Sequence, residues 1–465
     1  MTTSHDPPRL EPLLLGEDDY ALATDLYQLT MMAAYRARTD LAPDATATFE
    51  LFVRRLPRGR AFLVAAGLEQ ALAYLSSLRF SGADVAYLRT LPVFAKTDPG
   101  FFEWLRDFRF RGDVDAIPEG TLVYPNEPLV RIRAPLAEAQ LVETYLLATI
   151  NAQTLIASKA ARVRLAAGER PFIDFGARRA HGFGAALLAT RAAWIAGANG
   201  TSNVAAAKKL DIPVRGTAAH AFIMSFEREE DAFRAYHDAY PEHTVLLVDT
   251  YDTREGCRRA AALGPSLRGV RLDSGDLGQL ARECRAILDE RGLTQTTIVA
   301  SGDLDEDKIT ALLAQGAPID SFGVGTEMVT SRDQPALGGV FKLVERTDGA
   351  RRLPVMKLSE GKITWPGPKQ VWRVHDPEGR FTEDVIELDG APGPQGSRAL
   401  LRPVMRAGAL LPAAYEPLAA MRARCAEGLA ALPEELRRLH DFADAPIRFG
   451  PALRALTDSL KGAAK

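Results

Sequence analysis

The sequence predicts an α/β chain: an irregular parallel β/α barrel joined to an α+β N-terminal domain, with a C-terminal extension. Three observations predict it. Between residues 171 and about 330, short β-branched or apolar runs alternate with helical patterns, and strands covered by crossover helices form parallel sheets. Polar punctuation follows each run, at Asp174, Thr217 and His220, Asp249, Asp273, Ser301, and Gly323 with Gly325; this is the strand end where such barrels do chemistry. Outside this region the pattern changes to period-two strands, mixed helices and Gly/Pro turns.

Taken in order, residues 1–16 are polar with two adjacent prolines and read as a disordered tail. Residues 17–168 read as the α+β domain. Within it, 19–37 is expected to be a helix, 46–54 (TATFELFVR) a strand, and 61–78 an Ala/Leu-rich helix. Next come a hairpin over 120–133 turned at Pro125-Asn126 and a long helix over 136–167. Residues 169–345 hold the barrel, with strands at 172–175, 213–216, 244–249, 269–273, 297–300 and 319–323. Helices follow at 181–196, 222–240, 254–263, 278–291 and 305–315. Residues 346–465 supply antiparallel strands (RRLPVMKLS after VFKLVER) and then Ala/Leu-rich helices that pack on the other domains.

Composition narrows the function classes. A formal charge of −3 with no dense basic run gives no reason to expect nucleic acid or a membrane surface as partner. The apolar run 184–198 is interrupted by Arg191 well short of a membrane span. Three cysteines, Cys257, Cys284 and Cys425, lack ligand-like spacing, which disfavours a disulfide framework or a zinc site and fits a reducing cytoplasm.

Candidate chemistry clusters after the strands. In 214–226 (VRGTAAHAFIMSF), Thr217 stands like an N-cap, which sets His220 in a first helical turn where free N–H groups favour a phosphate. His220 could carry a phosphoryl group, or be an ordinary half-buried ring on a capped helix. Alternation along 269–273 sends Arg271 and Asp273 to one side, as a catalytic pair or as an ion pair that only pins the loop. The successive turns Ser301-Gly302 and Gly323-Val324-Gly325-Thr326 suit a phosphate site, although a glycine after a strand is commonly just a turn. Phe175 and Arg178 could sandwich a flat ring, with Arg178 or Arg179 on phosphate; the alternative is a core phenylalanine with solvated arginines. Asp174, Asp249, Asp273 and Asp276 offer hard oxygens for Mg²⁺ carried by a diphosphate, and no dedicated metal cage is indicated.

These motifs carry a family resemblance. TDLYQLTM (24–31), FELFVRRLP (49–57), NEPLVRI (126–132), DFGARRAHG (174–182), GTSNV (200–204), GTAAHAFIMSF (216–226), VDTYDT (248–253), GVRLDSGDL (269–277), SGDLDE (301–306) and FGVGT (322–326) resemble the nicotinate phosphoribosyltransferase family of type II phosphoribosyltransferases. The resemblance runs in order over residues 20–345. It implies transfer of a phosphoribosyl group from 5-phosphoribosyl 1-diphosphate to nicotinate, coupled to ATP as co-substrate, with His220 as the phosphohistidine and Asp273 near the ribose. Arg271, Phe175, Arg178, Ser202 and Thr217 are then expected around the substrates, and Ser301, Gly302, Gly323, Gly325 and Thr326 on phosphate. Tyr27 is expected at the site from across a homodimer interface. A neutral Ser202, where the nicotinamide-using relative's pattern has an aspartate, favours the carboxylate substrate. A barrel that binds a nucleotide without turnover is the rival from another class. The pattern departs past Gly361, where no motif is matched and the cysteines of a zinc knuckle found in some relatives are missing.

Overall fold

The computed structural model describes residues 16–38, 45–348, 351–359 and 364–463. The tail expected over 1–16 lies outside them, apart from Gly16. The site rests on a parallel sheet ordered Phe172–Asp174, Ser321–Val324, Thr297–Ala300, Gly269–Leu272 and Val245–Leu247. Single parallel bridges extend the row from Asp174 to Thr201 and from Thr201 to Val214. The strand expected over 213–216 is therefore one bridge, because Pro213 has no N–H for a ladder. Among the described residues no pairing joins this edge to Val245–Leu247, so the barrel is irregular and open in its hydrogen bonding.

Helices return the chain after each strand. Leu277–Glu290 buries Ala281, Cys284, Ile287 and Leu288, a helical stripe laid on the sheet. Several of the polar residues after strands cap these helices: Asn203 accepts from Ala206 N, Asp252 from Glu255 N, Asp276 from Gln279 N and Asp305 from Lys308 N. Asp276 is thus a cap and not a free metal ligand.

A seven-stranded sheet flanks the barrel, ordered Arg351–Pro354, Gly339–Asp348, Thr46–Val53, Pro128–Pro135, Asp113–Ala116, Arg402–Arg406 and Ala409–Leu410. Later chain segments complete this N-terminal sheet. A four-stranded sheet runs Arg398–Ala399, Lys369–His375, Phe381–Leu388 and Ile447–Phe449. The helix Glu143–Ala167 lies between the two cores, and its buried Lys159 and Arg162 both pair with Glu306. Asp333 bridges Lys159 to buried Arg60, locking the segment after Thr46–Val53 onto the barrel.

Several elements differ from expectation. No hairpin turns at Pro125-Asn126: Asn126 has φ 67 and Glu127 accepts from Tyr124 N, a turn that sends Leu122–Val123 to pair with Leu63–Val64 and Pro128–Pro135 into the large sheet. The helix expected over 61–78 begins only at Leu68. Gly67, at φ +101, breaks it where a side chain would strike Thr149 O at 2.9 Å. The expected helices over 19–37, 136–167 and 222–240 each divide in two, at Ala23, Val142 and Ser225. No helix among the described residues is long and apolar enough to cross a membrane.

Candidate active site at the strand ends

Arg271 is the hub of the site. It is one residue from the end of Gly269–Leu272, and alternation sends Arg271 and Asp273 to the same side. Its Nε donates to Ser301 Oγ at 2.8 Å, Nη1 to Thr217 Oγ1 at 2.8 Å, and Nη2 to Asp273 Oδ1 at 2.6 Å. The side chain is 11% exposed, and the three bonds hold it in one orientation. Its guanidinium lies 5.3 Å from the Phe175 ring centre. That ring rests against Gly323, where an added Cβ would come within 2.5 Å of two ring carbons.

Asp273 also accepts from Ser301 Oγ at 2.5 Å. Burial alone would raise its carboxyl pKa, but the Ser301 hydroxyl and Arg271, with His220 beyond, hold it below the ordinary carboxylate range. Asp273 is therefore an anion at neutral pH. Gly302 permits the turn: at φ +95 its absent side chain leaves room for Asp273 O, which a Cβ would meet at 2.0 Å.

His220 opens the helix His220–Met224, whose N-cap is Ala219 and has no side-chain cap. The expected cap, Thr217, spends its hydroxyl on Arg271 and Ala218 O instead. Thr250 Oγ1 meets His220 Nδ1 at 3.1 Å, which turns Nε2 toward Asp249 Oδ1 at 3.9 Å and Asp273 Oδ2 at 4.0 Å. The Asp249 side chain is buried; its Oδ2 accepts from Asp273 N and Ser274 Oγ, while Oδ1 has no hydrogen-bond partner among the described residues. Thr250 escaped the sequence reading, and Asp249 entered it only as a possible oxygen ligand. The signal was present in the motif VDTYDT at the end of Val245–Leu247.

The structure thus gathers Phe175, Thr217, His220, Arg271, Asp273, Ser301, Gly302 and Gly323. The other expected residues are placed differently. Arg178 is exposed on the short turn Ala177–Arg179, and the guanidinium over the Phe175 ring is that of Arg271. Ser202 is exposed beside the row and bonds Asp174 O through its N–H and its hydroxyl. Gly325 sits against Phe175 O and N-caps Thr326–Val329. Asp174 is buried with both oxygens engaged, Oδ1 accepting from Gly176 N and Oδ2 from Thr190 Oγ1 and Thr201 Oγ1. Tyr27 is 48% exposed on Leu26–Ala37, interacting with Gln28 and Glu143 and with none of the gathered residues.

Fold and cluster together define an enzyme of the β/α-barrel class. Residues 22–151 match the family model for the nicotinate phosphoribosyltransferase N-terminal domain, and residues 171–347 match that for the nicotinate phosphoribosyltransferase family. A nicotinate phosphoribosyltransferase of Mycobacterium tuberculosis is 47% identical over 427 residues, covering 90% of this chain and 89% of that protein. One from Bacillus subtilis is 44% identical over 80% of this chain and 77% of its own. The crystal structure of human nicotinic acid phosphoribosyltransferase superposes with a TM-score of 0.82 at 32% identity, covering 94% of this chain and 99% of that one. The chain belongs to the nicotinate phosphoribosyltransferase family.

Proposed function

We propose that this chain joins nicotinate to 5-phosphoribosyl 1-diphosphate, giving nicotinate mononucleotide and diphosphate in NAD salvage, with ATP hydrolysis coupled through a phosphohistidine at His220. Arg271 carries the reading. A guanidinium has five N–H groups, and the bonds to Ser301, Thr217 and Asp273 use one each on Nε, Nη1 and Nη2. One N–H remains on each terminal nitrogen, and these are the donors available to a substrate carboxylate. A substrate ring bearing that carboxylate would lie beside Phe175.

The chemistry then asks little of a base. The pyridine nitrogen attacks C1′ of the ribosyl group, the C1′–O bond breaks, and the electron pair leaves with diphosphate. Ionised Asp273 stabilises the oxocarbenium-like centre between these events, and the rest is positioning. Phosphorylation of His220 adds charge at the mouth and changes affinity for the diphosphate substrate without entering bond transfer. Among the described residues no group of three or more His, Cys, Asp or Glu side chains could hold a metal. Asp249 Oδ1 and Asp273 Oδ2, 3.9 and 4.0 Å from His220 Nε2, are hard donors that suit Mg²⁺ arriving on diphosphate or ATP. The exposure of Leu26 and Tyr27, at 52% and 48%, supports a homodimer in which the partner's copy of this helix completes the site. Three free, buried cysteines support a reducing, cytoplasmic setting.

The test compares nicotinate and nicotinamide as acceptors with and without ATP. ATP-stimulated mononucleotide synthesis from nicotinate is expected, and preference for nicotinamide would overturn the substrate assignment. His220→Asn should keep the fold and some ATP-independent transfer, and lose acid-labile label from γ-labelled ATP together with the ATP stimulation. Label retained in that variant would remove His220 from the role.

A further inference from the structure

Far from the strand-end site, two cavities of about 260 and 270 Å³ share a wall made by Thr121, Arg398 and Arg424. Arg373 and His375 line the first and Arg402 the second. Among the described residues Glu427 is the one carboxylate lining either, against four guanidinium groups. Two of those four are neutralised from behind: Asp384 holds Arg373, and Glu416 holds Arg424. Arg402 reaches the same, already engaged Glu416 only at 3.6 Å, and exposed Arg398 makes no ion pair among the described residues. Both guanidiniums without a carboxylate of their own therefore face the groove.

The groove also lies on the other side of the barrel from the catalytic mouth. Arg424 belongs to Leu418–Ala431, a helix anchored by Arg422 to the carbonyls of Trp194, Gly197 and Ala198. Those carbonyls lie at the end of the return helix Phe183–Ile195 and just past it, and Asn199 beside them bonds the first residue of Phe172–Asp174. The anchor is thus at the strands' amino ends, whereas Arg271, Asp273 and His220 are at their carboxyl ends.

We propose that this groove is a second anion site, built for a compact phosphate-bearing oligoanion of the inorganic diphosphate class. Size argues for the compact ligand: each cavity falls just below the roughly 300 Å³ at which small-molecule pockets begin, and far above the roughly 30 Å³ share of one water. Charge argues for the anion, since four arginines line the groove against Glu427, while Asp384 and the shared Glu416 lie behind three of them. The local field agrees. Burial, with Arg373 and Arg398, pushes the His375 imidazole pKa down, against the weaker pull of Asp384 and Asp376. A bound oligoanion reverses that field.

His375 is accordingly the reporter. In wild-type protein with ¹³C-labelled histidine, assigned by His375→Gln, inorganic diphosphate should raise the His375 pKa by about one unit as it cancels the arginine field. Arg398→Gln with Arg402→Gln should weaken that diphosphate response at least tenfold, and Glu427→Gln should strengthen it. Arg271→Ala, at the catalytic mouth, should leave it unchanged. Should the double variant fail to fold, Arg398→Gln alone carries the test, because this side chain is exposed and makes no ion pair among the described residues. An unmoved His375, an unchanged response in the arginine variants, or a response lost in Arg271→Ala each overturns the site. A tighter response to ATP than to diphosphate overturns the ligand class.

Discussion

Replacing Arg271 by lysine keeps the positive charge and removes the fork, which separates the electrostatic from the geometric contribution. An ammonium can keep the bond to Asp273, now made at 2.6 Å, but cannot also reach Ser301 Oγ and Thr217 Oγ1 from the separate positions that Nε and Nη1 occupy. Two hydrogen bonds to hydroxyls are lost, at about 0.5–1.5 kcal/mol each, so the folded state should weaken by roughly 1–3 kcal/mol. The same change deletes the free pair of N–H groups proposed to hold the substrate carboxylate. At 1.4 kcal/mol per tenfold, a loss of that size lowers kcat/KM for nicotinate by about 5- to 140-fold. The KM for 5-phosphoribosyl 1-diphosphate should move less than about threefold, because Asp273 keeps a cationic partner. Urea unfolding and steady-state kinetics with each substrate varied in turn read both effects. Equal loss for the two substrates would make Arg271 a structural clamp, and wild-type behaviour in both assays would refute the role of the fork altogether.

Other changes probe the surrounding parts. Thr250→Val removes the partner of His220 Nδ1, and should lower the ATP-stimulated rate by about 2- to 10-fold while Thr250→Ser retains it; identical rates in the two variants would deny Thr250 a positioning role. In Gly323→Ala the new methyl would sit 2.5 Å from Phe175 ring carbons, so the ring must move at a cost of about 1–3 kcal/mol, visible as a lower melting temperature and a raised KM for nicotinate. An unchanged KM would show that Phe175 does not touch the substrate. Asp333 is held down to about 2, since Arg60 and Lys159 outweigh the opposing effect of burial. A depressed carboxyl stabilises the fold above its unfolded pKa of about 3.9 and loses that contribution as pH falls toward the folded value. The stability gap between wild type and Asp333→Asn should therefore shrink between about pH 4 and pH 2. A gap that stays constant on acidification would mean the Arg60–Asp333–Lys159 link contributes nothing through charge.

Residue order alone determined the class of this fold and the address of its site. Alternating strand and helix periods require a parallel sheet with crossovers, and the side-chain period of two puts Arg271 and Asp273 on one side at a strand end. These are local rules, readable from neighbours a few positions apart. What only the tertiary structure decided were pairings between different crossover units. Thr217 looks like a helix cap from its neighbours, yet Arg271 on another unit claims its hydroxyl. Arg178 is near Phe175 in sequence, but Arg271 is the cation over the ring, and Gly323 lacks a side chain because that ring occupies the space. Leu122–Val123 and Pro128–Pro135 look like one hairpin, and each finds a different partner because Asn126 turns the chain between sheets. A buried donor or ring is satisfied by whichever group packing brings within hydrogen-bond or van der Waals reach, and local periodicity carries no record of that distance.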